Sequence, residues 1–546
     1  MTEVYYGRIS DVPSQTTSGS LEVGFLDALE YRGKAYDNRD QNARTSSLAV
    51  KDVIQSFLQR LPYRSLGTRQ NLELRREVTE EIVSWEAGLT SDIISQITDT
   101  ACGIAECTYA HTSYYHQRFV ALYTAYLTYV DDLGHKNVEI VGRFVQRFVR
   151  GELQPIPALR RLQELLATVH EYYPRVGADA IVSSTLDGIT GMYIELTTKG
   201  YVVQPLAARY TYYLRLRTGI AAGYAHMNFT KEWARDVGYG YLQMLPELET
   251  VTIGFKFNDI LSFYKETLAG ETDNYVHMRA NAENKSPFVV LQELVDENLE
   301  SVRKIEKLGA SQPRFLTEIC HSFMMVRQPP LPHASHVDDL SHKDSDIVGE
   351  FVQRFVGGER QPVGPALAQL QSLLATAHDY FPRVGASSIV TSTLDGFMGE
   401  YFEFSTKSLV VPPVPARYPG RLRYRTGAPS AFIHLNFTKK WARTEGGLGY
   451  LHIIPELETV TNGIKLSFYK ETLAGEENYI HLRLLSRSPV SGILVEENLK
   501  SVRTIREFCQ SQPELSKNCE SFLMGFVEFH LISDRYHLGD IVDIYA

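Results

Sequence analysis

The sequence has little of what would mark a disulfide-stapled, membrane-spanning or nucleic-acid-binding protein. Its five cysteines, Cys102, Cys107, Cys320, Cys509 and Cys519, are an odd number without paired metal spacing. That excludes a disulfide framework as the organising principle and favours free buried thiols. No run of about 18 or more apolar residues occurs, so neither a spanning helix nor membrane insertion is expected. Residues 1–20 are polar and rich in Ser and Thr, which reads as a disordered N-terminus rather than a signal peptide, and hence as a cytoplasmic protein. Lys and Arg number 55 against 65 Asp and Glu, a formal charge of −10. An acidic chain of this kind gives no reason to expect nucleic acid or an anionic membrane as partner. The period-two alternation of strands is scarce too.

The period that is present is helical. Leu159, Leu162, Leu165, Leu166 and Val169 fall on one helical face, and so do Leu367, Leu370, Leu373, Leu374 and Ala377. Prolines fall between such stretches or at their first turns, where a missing N–H costs little. The expected fold class is therefore all-α.

Within that frame one segment stands out. In Asn258-Asp259-Ile260-Leu261-Ser262-Phe263-Tyr264-Lys265-Glu266, the residues Asn258, Ser262 and Glu266 repeat every four positions and would share a helical face. An amide carbonyl, a hydroxyl and a carboxylate beside Lys265 are oxygen ligands of the type a hard cation such as Mg²⁺ accepts when substrate phosphates complete its shell. Upstream, the apolar and aromatic stretch from Phe119 to Val130 ends in Asp131-Asp132-Leu133-Gly134-His135, which by itself reads as a helix C-terminus with a glycine stop. Between the two lies Arg215-Leu216-Arg217-Thr218-Gly219, and a guanidinium can grip a phosphate by two parallel bonds while staying charged.

In this order and spacing the three segments resemble the Asp-rich motif, diphosphate-sensing arginine and Asn/Ser/Glu metal box of class I terpene synthases, most of all the fungal trichodiene synthase family. The resemblance implies a helical bundle that binds an isoprenyl diphosphate, expected to be farnesyl diphosphate, with Mg²⁺ as cofactor. It implies metal ligation by Asp131, Asn258, Ser262 and Glu266, with Asp132 as a supporting charge. It also implies diphosphate contacts from Arg215 and Lys265 and a helix break at Gly219. The motif departs from the family at its fifth position, where His135 replaces an aspartate. Phe119, Tyr123, Tyr126 and Tyr193 are candidates to line a pocket and face a carbocation, although core packing is the commoner role of such rings. A prenyl-chain elongating enzyme also uses Asp-rich motifs and Mg²⁺ but needs two of them in one bundle.

The sequence also repeats itself. Val141 to Phe148 (VGRFVQRF) returns as Val348 to Phe355 (VGEFVQRF), Ser184 to Gly188 (STLDG) as Ser392 to Gly396, and Asn228 to Lys231 (NFTK) as Asn436 to Lys439. The period exceeds that of any solenoid repeat, so it reads as partial duplication of one domain. The expected organisation is a catalytic synthase domain over 21–326, a Pro-rich linker over 327–336, and an incomplete, degenerate helical copy over 337–546. That copy lacks the early helices, and its metal box is shortened. Asn462 precedes Ser467 by five positions and so turns about 140° off the ligand face. Gly463 takes the ligand position, while Ser467, Lys470, Glu471 and Arg423 remain. A fusion of two neighbouring genes and a catalytically impaired protein both stay open. Near the C-terminus Arg535-Tyr536 matches an Arg-Tyr pair that contacts diphosphate in the family, and it is expected to stay with the second copy because adjacent segments pack together. A homodimer is left open.

Overall fold

The computed structural model describes residues 50–57, 59–60, 70–198, 203–237, 240–243, 245–252, 259–260, 263–264, 272, 274–309, 345–359, 365–406, 429–444, 449–463, 491–510, 516 and 519. Among the described residues every regular element is helical, as the periodicity predicts. No helix among them is long and apolar enough to cross a membrane.

Residues 50–57 and 59–60 are helical, and α1 (Leu72–Val83) and α2 (Ser91–Thr108) follow, each started by a side-chain cap. Asn71 accepts from the Leu74 amide and Thr90 from the Ile93 amide, satisfying donors that a helix start leaves open. In α1 the buried residues Leu74, Val78 and Ile82 recur every fourth position and define the core face. The 23-residue α3 (Tyr114–Lys136) packs on both and carries the Asp-rich motif in its last turns. Two short helices, Val138–Gly142 and Phe144–Val149, lead to α4 (Pro157–Tyr172), which has proline in its first turn.

The centre of the molecule is α5 (Arg175–Thr197), buried on every side from Val176 to Met192. A helix enclosed in this way must find a partner for each polar group it carries. Asp179 receives His170 Nε2 at 2.6 Å, Thr185 meets the Tyr123 hydroxyl at 2.6 Å, and Ser184 accepts the Gly223 amide at 3.3 Å. Asp187 takes Arg217 Nη2 at 2.6 Å and Nε at 3.3 Å. Burial opposes the Arg217 charge, but Asp187, Tyr213 and Glu458 together more than offset that and hold the guanidinium well above its ordinary pKa.

Among the described residues, α6 (Ala208–Thr218), α7 (Ala221–His226), α8 (Lys231–Val237), α9 (Leu245–Thr252) and α10 (Tyr275–Glu283) follow, with helical residues at 259–260 and 263–264 before α10. The long α11 (Pro287–Gly309) closes the segment. The second segment comprises α12 (Ser345–Val356), α13 (Pro365–Tyr380), α14 (Arg383–Thr406), α15 (Pro429–His434), α16 (Lys439–Thr444), α17 (Ile454–Gly463) and α18 (Ser491–Cys509). Contacts of the first segment recur in it 208 residues on, as 378 is from 170. Lys231 Nζ donates to the His170 carbonyl at 2.8 Å, and Lys439 Nζ donates to that of His378. Ser184 accepts from the Gly223 amide, and Ser392 from that of Ala431 at 3.1 Å. Phe229 stacks on Tyr241 at 4.1 Å, and Phe437 stacks at 4.3 Å on Tyr450, which is one residue beyond that spacing. The expected linker 327–336 and disordered 1–20 lie outside the described residues.

Candidate active site

Asp131 stands on the exposed side of α3, one turn before its end. Gly134 does not stop this helix, which runs on to Lys136 with Asn137 as its cap. The glycine is instead a point of close approach. A Cβ there would lie 2.5 Å from Leu196 Cδ1 at the end of α5, so the absence of a side chain brings the Asp-rich turn against the central helix. His135, at the departing fifth position, is exposed.

The Asn/Ser/Glu box is described only in part. Asp259, Ile260, Phe263 and Tyr264 are helical, and the first three are buried, whereas Asn258, Ser262, Lys265 and Glu266 lie outside the described residues. Even so, the box is anchored on the expected arginine. Arg215, in α6, donates from Nη2 to Asp259 Oδ1 at 2.7 Å and from Nε to Oδ2 at 3.3 Å, with both side chains largely buried. This forked pair brings the arginine to the residue next to Asn258, which fixes the plane of the guanidinium and turns its Nη1 edge away from Asp259. Phe263, one turn on, packs against the ring of His277 in α10 at 5.2 Å between centroids.

The helix break beside the arginine is real, but its geometry differs from the expectation. Gly219 caps α6 in an ordinary right-handed conformation (φ −81°), and it is Ile220 that adopts the left-handed region, at φ 54° and ψ 37°. A β-branched residue there is strained and persists only where its surroundings over-determine it. Those surroundings are two glycines of α5. A Cβ at Gly188 would meet Ile220 Cγ1 at 2.3 Å, and one at Gly191 would meet Arg217 Cβ at 2.6 Å and the Thr218 amide nitrogen at 2.8 Å. The break is thus seated in a glycine notch of the central helix, which Arg217–Asp187 locks from the same side.

The candidate pocket aromatics are placed as follows. Tyr123 and Phe119 stack at 6.3 Å in a buried cluster with Tyr172, Tyr173 and Tyr224. Tyr126 lies beside Trp85, with its hydroxyl donating to Glu81. Tyr193 lies under the Arg383 guanidinium of the second segment at 5.1 Å. A groove of about 750 Å³, lined by residues that include His111, Tyr115, His116, Glu171, Asn228 and Trp233, opens at the start of α3. His116, its nearest lining residue on that helix, is fifteen residues or about 22 Å from Asp131 at 1.5 Å per residue, and no motif residue lines it. In the second segment Asn462 and Gly463 close α17, while Ser467, Lys470, Glu471, Arg423, Arg535 and Tyr536 lie outside the described residues.

Two residues central to this arrangement were not singled out from the sequence. Asp259 sits inside the box but off the ligand face, and Asp187 was visible only as part of a repeated STLDG.

Comparison with known proteins bears on this geometry. The trichodiene synthase family profile matches residues 89–325, a span that holds Asp131, Arg215 and the box. Terpene synthase BipA of Cochliobolus sativus is 32% identical over 252 residues, which is 45% of this chain and 76% of BipA. The chain belongs to the trichodiene synthase-like family of class I terpene synthases. Terpene synthase 29 of Postia placenta is 30% identical over 277 residues, covering 50% of this chain and 78% of its own. Longiborneol synthase CLM1 of Gibberella zeae is 29% identical over 203 residues, covering 36% and 59%. The synthase is accordingly a terpene cyclase acting on an isoprenyl diphosphate, and its matched span ends twenty residues before α12 at Ser345.

Proposed function

We propose that the first segment, 21–326, is a Mg²⁺-dependent sesquiterpene cyclase that ionises farnesyl diphosphate, and that 337–546 is a partial duplicate without a working metal box. The observation that carries this reading is the forked Arg215–Asp259 pair, which ties the diphosphate-sensing position to the metal box through a buried contact.

The donor chemistry fits the metal. Asp131, Asn258, Ser262 and Glu266 offer oxygen only, the set a hard divalent cation prefers. When bound, Mg²⁺ supplies positive charge that neutralises the diphosphate as it leaves. The chain's own groups do the rest. Arg215, oriented by Asp259, and Lys265 donate to diphosphate oxygens, and these bonds strengthen as charge develops on the leaving group. The allylic C–O bond breaks with its electron pair on the diphosphate. The carbocation left behind cyclises in a dry pocket, where no water quenches it, and gives up a proton to the departed diphosphate as its C–H electron pair becomes a double bond. No protein nucleophile takes part.

The deciding experiment incubates the purified full chain with farnesyl diphosphate, with and without Mg²⁺. It follows release of inorganic diphosphate and analyses the organic phase by mass. The expected result is metal-dependent release with a C15 hydrocarbon. Longer prenyl diphosphates on adding isopentenyl diphosphate would establish the elongating alternative. No release at all would refute the cyclase.

A further inference from the structure

The contact between α5 and α14 has a symmetry that neither helix has alone. Arg175, at the start of α5, sits over the ring of Tyr401 near the end of α14 at 5.1 Å, and Arg383, at the start of α14, sits over Tyr193 near the end of α5, also at 5.1 Å. Ser183 of α5 donates to Asp395 of α14, and Thr391 of α14 donates to Asp187 of α5 at 3.3 Å. In each pair the second contact is the first with the partners exchanged 208 positions apart. The helices are therefore antiparallel about a local two-fold axis between their midpoints. This is the signature of an isologous interface, in which one surface patch meets its own copy. Such interfaces ordinarily join two chains, whereas here both sides belong to one.

The seat extends beyond these two helices. Arg217 of α6 reaches Ser388 of α14 at 2.9 Å. Arg209, at the start of α6, reaches Glu456 and Thr459 of α17 and Ser501 of α18 at 3.2, 2.9 and 3.3 Å. Both arginines lie on the helix that carries Arg215. The two halves are not equivalent in this respect, because the position matching Ser388 in the first segment is Ala180, which has no hydroxyl to offer.

We propose that the second segment is a partner subunit carried in the same chain. It occupies the self-complementary face of α5 in cis, leaves the protein monomeric, and holds α6 in place for the site in the first segment. The positioning half of this proposal rests on the cyclase reading, and the seat itself does not.

Three measurements on the full-length protein decide it. Light scattering across about a hundredfold range of concentration should give the single-chain mass of 61.8 kDa, with a melting temperature independent of concentration, since an intramolecular contact gains nothing from mass action. A dimer mass, or a melting temperature that rises with concentration, would overturn the seat. The double variant Ser183→Cys, Asp395→Cys should oxidise to a cross-link between those two peptides without change of mass, and covalent dimers would point to two chains instead. Finally, Ser388→Ala should lower kcat with farnesyl diphosphate about fivefold through displacement of α6 and the Arg215 it carries, with KM little changed and recovery in Ser388→Thr. An unchanged kcat overturns the positioning role. A protein that turns over no farnesyl diphosphate leaves the mass and cross-link results to decide the seat.

Discussion

Replacing Gly191 by alanine tests the notch beneath the helix break, and its cost can be worked from the structure. The added methyl would sit 2.8 Å from the Thr218 nitrogen and 2.9 Å from the Arg217 carbonyl carbon, where ordinary contact begins at 3.4 Å. Both obstacles are backbone and cannot swing aside as a side chain could, so the end of α6 must retreat by roughly half an ångström, at about 1–3 kcal/mol for overpacking of this kind. The retreat lengthens the 2.6 Å bond from Arg217 to Asp187, which is fully buried, and it carries Arg215 with it. Misplacement by about an ångström can cost a hundredfold in rate, so a loss of about tenfold is expected here, together with the fall in stability. Thermal unfolding and diphosphate release should be measured on the same preparation, with Gly103→Ala as control, since no atom lies within 4 Å of a Cβ there. A Gly191→Ala protein with the parent's melting temperature and rate would refute the notch.

Further expectations concern other sites. Ile220→Gly should be more stable than Ile220→Ala by about 1 kcal/mol, because both empty the same space but only glycine is at ease in the left-handed region; equal or reversed denaturation midpoints would argue against strain at this position. In the metal boxes, Glu266→Ala and Asn258→Ala should abolish Mg²⁺-dependent turnover, whereas Glu471→Ala should leave it nearly intact, and a comparable loss in all three would mean that the second box contributes ligands. Acid should weaken the second segment first. Burial lowers His434 from 6.5 to about 3, and it lowers His378 to about 4. The unfolded chain therefore binds protons that the folded one refuses, so the stability these residues contribute is complete above about pH 6.5 and is lost as pH falls towards 4. Melts between pH 7 and 4.5 should show this loss, reduced in His434→Phe, and a flat profile would exclude it.

Much of the fold was legible because its signals are local. The leucine periodicity of 159–169, the prolines at first turns and the composition all report on single helices, and each helix formed where they pointed. The arginine and the break at 219–220 were legible as motif spacing. What stayed hidden depends on contacts between elements. The sequence places Asp259 one residue from a ligand position, but only the packing of α6 shows that it holds Arg215. Gly134 looks like a stop signal until Leu196 is seen against it. Ile220 is the least expected residue for a left-handed turn, and its conformation follows from two glycines some thirty residues away. Phe119 and Tyr123 carry the same letters whatever surrounds them, and only the fold shows the rings of Tyr172, Tyr173 and Tyr224 beside them.

The reciprocal contact between α5 and α14 also separates two histories within one sequence. The residues of the second segment that make it, Arg383, Thr391, Asp395 and Tyr401, all lie on α14, and none belongs to the shorter stretch at 462–471. Asp187 draws its partners from both halves, Arg217 from the first and Thr391 from the second. On the proposed reading, selection on such a chain lets one half forget its chemistry while forbidding it to change its shape: the stretch from Thr461 to Ser467 is four residues shorter than that from Thr252 to Ser262, whereas STLDG recurs letter for letter.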